Sequence, residues 1–407
     1  MSNSVIKGNG MKKVLALAAV FMALAAASFA QEISIKNFKL YSEGSVIGIS
    51  VGNGYGYGFT PENYGKVYLQ STIGVKFDAG SNIQSAVALG YENAWGGLGG
   101  DTLQAYLNTI RVVEANLTFN KLFNVDGLSA KVGRQYYGDE DSTVMYLGIR
   151  HYNAEPQGGA SLINSVDALA GYYDYKNIKA NAIYGILSDN GVNGNESAMG
   201  FDFKYSKIAD FFNIQVYMYE VENSALLLVP VKKYGFYGVK PSVETGGFKA
   251  SLEFAHNYGG DNTFSNTDYN SNLIKLDASY DVKGTSLTPR GTYMVIGGRN
   301  GGFPNYGNYT PGWIFGQQIY YGSDFQIVNI GADYKGVKNY IFSLDYYNLA
   351  ERDGSVKFGN ELDGTVKYQY TESTELFLAV SHLFKGDNSG YVTSDIAKVM
   401  LGVTYKM

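Results

Sequence analysis

The sequence predicts an all-β protein: a transmembrane antiparallel β-barrel of eighteen strands, with sixteen as the alternative. Three observations predict it. The 407 residues include 51 glycines, 36 tyrosines and 22 phenylalanines but only 17% charged residues, against a usual charged share of ~25%. Apolar and polar residues alternate with a period of two through nearly the whole chain, so each segment has one apolar and one polar face. The breaks between these segments are long and short in turn. Outer-membrane barrels sort their connections in this way, with long extracellular loops, short periplasmic turns and an even strand number.

The N-terminus carries a different signal. Lys12 and Lys13 precede the apolar run Val14 to Ala27, and Ser28-Phe29-Ala30 then places small residues around a cleavage point before Gln31. This reads as a secretory signal peptide over residues 1–30, leaving 31–407 as the barrel. Met11 is an alternative start. Cleavage removes Lys7, Lys12 and Lys13 and no acid, which moves the formal charge from −5 to −8. An exported, acidic chain is a poor match for nucleic acid, whose binders carry a basic face.

Strands are read near 43–52, 66–78, 82–92, 105–119, 128–137, 163–175, 178–187, 197–206 and 212–221. Others follow near 232–243, 247–257, 271–282, 288–297, 324–335, 338–349, 362–371, 374–385 and 395–407. The clearest alternation lies at 69–78, 113–119, 198–205 and 274–282. In the second of these, Val113, Ala115, Leu117 and Phe119 oppose Glu114, Asn116 and Thr118. The short breaks include Ala79-Gly80-Ser81, Glu244-Thr245-Gly246 and Glu372-Ser373. The long ones are 53–65, 138–162, 258–270, 298–323 and 350–361.

In a barrel of ~16–18 strands the apolar face meets lipid and the polar face lines an aqueous channel. That parity assigns Lys76, Lys131, Lys204, Lys249, Lys275 and Lys367 to the lumen. It also assigns Asp78, Glu114, Asp202, Glu253, Asp277, Asp281, Asp333, Asp345 and Asp363. Tyr64, Tyr91, Tyr205, Tyr280, Tyr334, Tyr346 and Tyr405 fall at or near strand ends, where aromatic girdles form.

Two stretches resemble outer-membrane porins of Gram-negative bacteria. Val399 to Met407 alternates to the last residue, like the C-terminal strands of such barrels, although it ends in Met407 rather than phenylalanine. Lys131-Val132-Gly133-Arg134-Gln135, followed by Gly138-Asp139-Glu140-Asp141, is similar to the strand that precedes the constriction loop of general porins. It also resembles alginate-export-type channels. The resemblance implies that residues 138–162 fold into the pore and that Asp139, Glu140, Asp141, Lys131 and Arg134 form the constriction. By strict alternation Arg134 falls on the lipid side with Leu128, Ala130 and Val132, so a bend at Gly133 or a place beyond the bilayer edge is needed. Contact with outer-membrane lipid, recognition of the last strand by the barrel-assembly machinery, and a homotrimer are further implications.

The sequence indicates no enzyme: no catalytic set, cofactor site or metal site is assigned. With no cysteine and three histidines there is no thiolate chemistry and little for zinc. Asp139-Glu140-Asp141 lacks the spacing of a calcium loop, and Gly52 to Gly58 has no following helix to cradle phosphate. The expected function is passive diffusion of small hydrophilic solutes and ions. Excess lumen acid predicts a weak cation preference. A substrate-selective channel for a carbohydrate or acidic polysaccharide is the alternative, motivated by Phe303, Tyr306, Trp313 and Phe315, and a non-conducting structural or adhesive surface barrel is the alternative of another class.

Overall fold

In the computed structural model of the protein, the described residues are 36–55, 61–95, 109–139, 142, 144–149, 163–187, 195–224, 232–261, 267–297, 313–314, 325–387 and 394–407. The expected signal peptide lies outside them. Among the described residues, eighteen strands run in chain order. They begin with β1 (Lys36–Tyr55), β2 (Pro61–Gly80), β3 (Ile83–Trp95), β4 (Thr109–Asn120), β5 (Leu128–Gln135) and β6 (Val166–Tyr175). Next come β7 (Ile178–Leu187), β8 (Asn195–Ile208), β9 (Phe212–Ser224), β10 (Lys232–Thr245), β11 (Phe248–Asp261) and β12 (Thr267–Tyr280). The last six are β13 (Leu287–Gly297), β14 (Phe325–Tyr334), β15 (Tyr340–Glu351), β16 (Lys357–Thr371), β17 (Thr374–Lys385) and β18 (Ile396–Lys406).

Each strand pairs antiparallel with its chain neighbours, and β1 pairs with β18 from Glu43↔Lys406 to Gly52↔Ala397. That last ladder closes the barrel, so among the described strands each has a backbone partner on both sides. The connections sort by end. Tight turns at 81–82, 176–177, 246–247 and 372–373 share one end, and the stretches 96–108, 136–165 and 298–324 share the other. Several loops expected to be long are shorter, because the hairpins continue past the predicted boundaries. Thus 53–65 contracts to 56–60, and 350–361 to 352–356.

Outward positions form an apolar belt. Phe201, Phe203, Leu252, Phe254, Ile274, Leu276, Leu344, Leu378 and Leu401 are all exposed large hydrophobics. At the short-turn end the belt is bounded by rings, including Tyr175, Tyr205, Tyr280, Tyr334 and Tyr340. Tyr340 stacks on Tyr368 at 4.6 Å between ring centroids. This is the arrangement of an interfacial girdle, where a ring is apolar on one side and wet on the other.

One bulge re-aims a strand. Opposite Ala88 and Leu89, β4 offers Glu114 and Val112, so Val113 is the extra residue. The expectation that Val113 faces lipid is therefore corrected. It is fully buried against Ala88, Ile149 and Ile163 inside the barrel. The same bulge turns Arg111 inward, where it pairs with Glu92. A bulge adds one residue to one strand and so reverses the parity beyond it.

Candidate functional site

The inward wall has two halves. Toward the short turns it carries polar and charged groups, as alternation predicts. Toward the long connections it is apolar on several strands, with Ile47, Ile49 and Val51 on β1, Ile296 on β13, Phe325 and Ile327 on β14, and Leu383 on β17 all buried. The expectation of a polar lumen face therefore holds for only part of the wall.

The segment after β5 enters this lumen. Tyr137 and Leu147 exchange backbone hydrogen bonds of 2.8 and 2.7 Å, so the chain doubles back between them. Gly138 at φ +92° permits the reversal, since a Cβ there would lie 2.4 Å from the Met145 carbonyl oxygen. The Ser142 hydroxyl accepts the Met145 N–H at 3.1 Å. Tyr137, Val144, Met145 and Leu147 then pack in the same cluster as Ile183, Tyr217 and Tyr219 of the wall. Burial among these rings raises the Tyr137 hydroxyl above the ordinary tyrosine range, so it stays protonated. The return of the segment is fastened at Ile163. Its N–H donates to Glu92 Oε1 at 2.8 Å, and its carbonyl accepts from Arg111 at 3.0 Å.

Asp139 is exposed and lines a cavity of about 370 Å³ together with Lys204, Lys240, Lys249, Asp277 and Arg290. It also borders a narrower gap with Asp202, Lys240 and Glu253. Glu140 and Asp141 lie outside the described residues. Lys131 faces inward, 5.8 Å from the Tyr172 ring centre. Arg134 does not join them. Gly133 adopts φ +114°, where a Cβ would sit 2.2 Å from the Ala115 carbonyl oxygen. Even so, Arg134 stays on the outward face and makes two hydrogen bonds to Asp167, at 2.8 and 2.6 Å. Its assignment to the constriction is corrected: the bend at Gly133 does not change the parity of β5.

The other predicted lumen residues are spread around the wall, and most are engaged. Lys76 sits 4.5 Å from the Tyr41 ring centre, and Tyr41 donates to Glu114 at 2.5 Å. Asp78 accepts from Asn37, Asp202 from Gln215, and Glu253 from Tyr217 at 2.6 Å. Lys275 pairs with Asp277 at 3.1 Å, Lys249 with Glu244 at 3.0 Å and Lys367 with Glu375 at 3.6 Å. Arg290 bridges Asp333 and Asp345 at 2.7 and 2.6 Å. Asp281 is not on the wall; it lies in the turn after β12, where it accepts from Thr288.

Sequence reasoning left Glu92, Arg111, Lys240, Arg290 and Lys398 unassigned. The last three stand at inward parity in strands it had located, so that signal was available. Glu92 and Arg111 gain their roles only through the bulge at Val113 and the returning segment. The loop 298–323 was read as extracellular, yet Trp313 and Ile314 lie inside the barrel against β16 and β18. Phe303, Tyr306 and Phe315 lie outside the described residues.

No protein-family model matches the chain, and no curated protein sequence matches it. Solved structures do. OccK9 (OpdG) of Pseudomonas aeruginosa is similar with a TM-score of 0.63 at 11% identity, over 91% of this chain and 98% of that one. The outer membrane protein opdK of the same organism gives 0.59 at 12% identity, with the same two coverages. OccAB4 of Acinetobacter baumannii gives 0.60 at 12% identity, again over 91% and 98%. The chain thus shares the closed antiparallel barrel fold of the Pseudomonas Occ/Opd outer-membrane porins, with eighteen strands of its own.

Proposed function

We propose that the protein is an outer-membrane porin, a channel rather than an enzyme, through which small hydrophilic solutes and ions diffuse passively. One observation carries this reading. Inside a closed barrel, Asp139 on an inward-folded segment faces a cavity lined by charged wall residues. A segment placed across an aqueous lumen limits the size of what passes, and the charges beside it bias the ions that do. The likeness in fold to outer-membrane porins supports the location, as does the apolar outward belt. A cleaved leader over 1–30, recognition of β18 by the assembly machinery and a homotrimer belong to the same proposal.

Pairing limits the cation preference expected from the acid excess. Among the described residues at the narrowing, Asp139 and Asp202 face Lys204 and Lys240. The preference is therefore weak. The carbohydrate reading rested partly on Trp313, whose indole N–H is committed to Thr365 at 3.1 Å. Planar-bilayer recording of refolded protein tests the proposal. Stable conductance steps are expected, and their absence from folded, heat-modifiable protein would refute it.

A further inference from the structure

Two neighbouring turns at the short-turn end carry lysines that face no acid. The turn between β12 and β13 holds Lys283, and the turn between β14 and β15 holds Lys335 and Lys338. A main-chain bond joins the turns, from the Lys335 N–H to the Ser286 carbonyl at 2.9 Å. All three lysines are exposed, and among the described residues none is ion-paired. Lys121, Lys179 and Lys249 at the same end hold Asp126, Asp174 and Glu244, at 3.0, 3.4 and 3.0 Å. Asp281, the acid of these two turns, accepts instead from Thr288. Lys176 and Lys207 are also without an acid among the described residues, but each is the single lysine of its turn.

The wall directly above the paired turns is aromatic. Tyr334, Tyr340, Phe342 and Tyr370 are outward and exposed. Tyr340 stacks between Phe342 and Tyr368, with ring centroids at 5.8 and 4.6 Å. The Tyr334 hydroxyl lies over Gly336, where a Cβ would sit 2.1 Å from it, so that ring leans down onto the turn. Lys335 follows Tyr334 directly, Lys338 precedes Tyr340 by two residues and Lys283 follows Tyr280 by three. Rings of this kind mark the headgroup level of a membrane. The three ammonium groups therefore stand just beyond the rings, at the depth of lipid phosphates. Like charges on two joined turns repel one another, and an anion from outside relieves that. Higher on the wall Ala278 stands opposite Gly291, which leaves a shallow place for an acyl chain below Leu276.

We propose that Lys283, Lys335 and Lys338, with the rings above them, bind the headgroup of an anionic phospholipid of the periplasmic leaflet. The phosphate sits among the ammonium groups and the acyl chains run up the apolar belt. The chain as a whole carries a formal charge of −5, so attraction of an anion here comes from local placement and not from net charge. The site rests on the outer-membrane reading above.

Native mass spectrometry of the refolded full chain in detergent tests it, with phosphatidylglycerol and phosphatidylcholine of the same acyl chains as the probes. Each lysine beside an anionic headgroup contributes about fivefold in affinity. Wild type should hold phosphatidylglycerol about tenfold or more tighter than phosphatidylcholine, a difference that fades at high salt. Lys283→Gln with Lys335→Gln and Lys338→Gln should remove most of that difference. All three side chains are exposed, so the variant should fold, which gel mobility without heating checks. Lys121→Gln with Lys176→Gln and Lys207→Gln removes the same charge from another part of the rim and should leave the difference nearly unchanged. Equal loss in the two triple variants would overturn the site, because it would show diffuse attraction alone. Equal affinity for the two lipids in wild type would overturn it as well. Folded, heat-modifiable protein that retains neither lipid would overturn the site and the membrane reading together.

Discussion

Leu276→Arg measures whether the outward belt lies in hydrocarbon. Leu276 is outward and 45% exposed, with Leu252 and Tyr293 beside it on the adjoining strands. Along β12 it stands four residues from Tyr280 at the girdle and four from Asn272, which hydrogen-bonds His256. At ~3.3 Å per residue and a strand tilt of ~40°, four residues rise about 10 Å, which places Leu276 near the centre of a belt ~25 Å tall. Arginine there should cost about 2–4 kcal/mol. Ser279→Arg is the control, since Ser279 faces inward and lines the aqueous cavity. Its cost should be within about 1 kcal/mol, despite Lys249 and Arg290 opposite it. The assay is reversible urea unfolding in lipid bilayers, followed by tryptophan emission and gel mobility without heating. If the two variants lose equal stability, the outward face is not lipid-exposed at this depth and the barrel is misplaced in the membrane.

Two further outcomes follow from charge placement. Asp167→Leu leaves Arg134 unpaired on the outward wall and should cost about 1–3 kcal/mol, whereas Arg134→Leu with Asp167→Leu should fall within about 1 kcal/mol of wild type; a double variant as unstable as the single one would remove the outward placement. Reversal potential under a salt gradient should show a weak cation preference in wild type that fades at high salt. Asp139→Asn with Glu140→Gln and Asp141→Asn should abolish that preference, and anion selectivity in wild type would refute the placement of the constriction.

Strand positions were legible because a sheet with lipid on one face and water on the other leaves a two-residue period in the chain. The 198–205 and 274–282 segments show this directly, and both became strands with the predicted faces. The period fails where the inner face is not wet. Residues 45–51 read Ser-Val-Ile-Gly-Ile-Ser-Val, with Val46 outward and Ile47, Ile49 and Val51 buried within. From Ile47 to Val51 the alternation survives but is inverted, with Gly48 and Ser50 on the outward face, so the period assigns these residues to the wrong side. Val113 was misread, and Arg111 left unassigned, for another reason. A bulge changes parity without changing composition, and nothing in Arg111-Val112-Val113-Glu114 marks the extra residue.

The charged residues show a deeper limit. Inward acids look alike in sequence, but their partners decide whether an ion in the pore feels them. Glu92 accepts a main-chain N–H from Ile163, and Glu361 and Asp363 accept those of Ile314 and Trp313, groups 47 to 71 residues away in the chain. Asp333 and Asp345 share Arg290. Each of these carboxylates holds structure in place, and its field is largely cancelled by the donors it faces. A census of lumen acids therefore overstates the potential along the axis. Among the described residues, the proposed ion preference falls to the groups beside the narrowing, where Asp139 and Asp202 lie with Lys204 and Lys240. Selectivity in such a barrel is set less by the composition of its strands than by where the inward segments end.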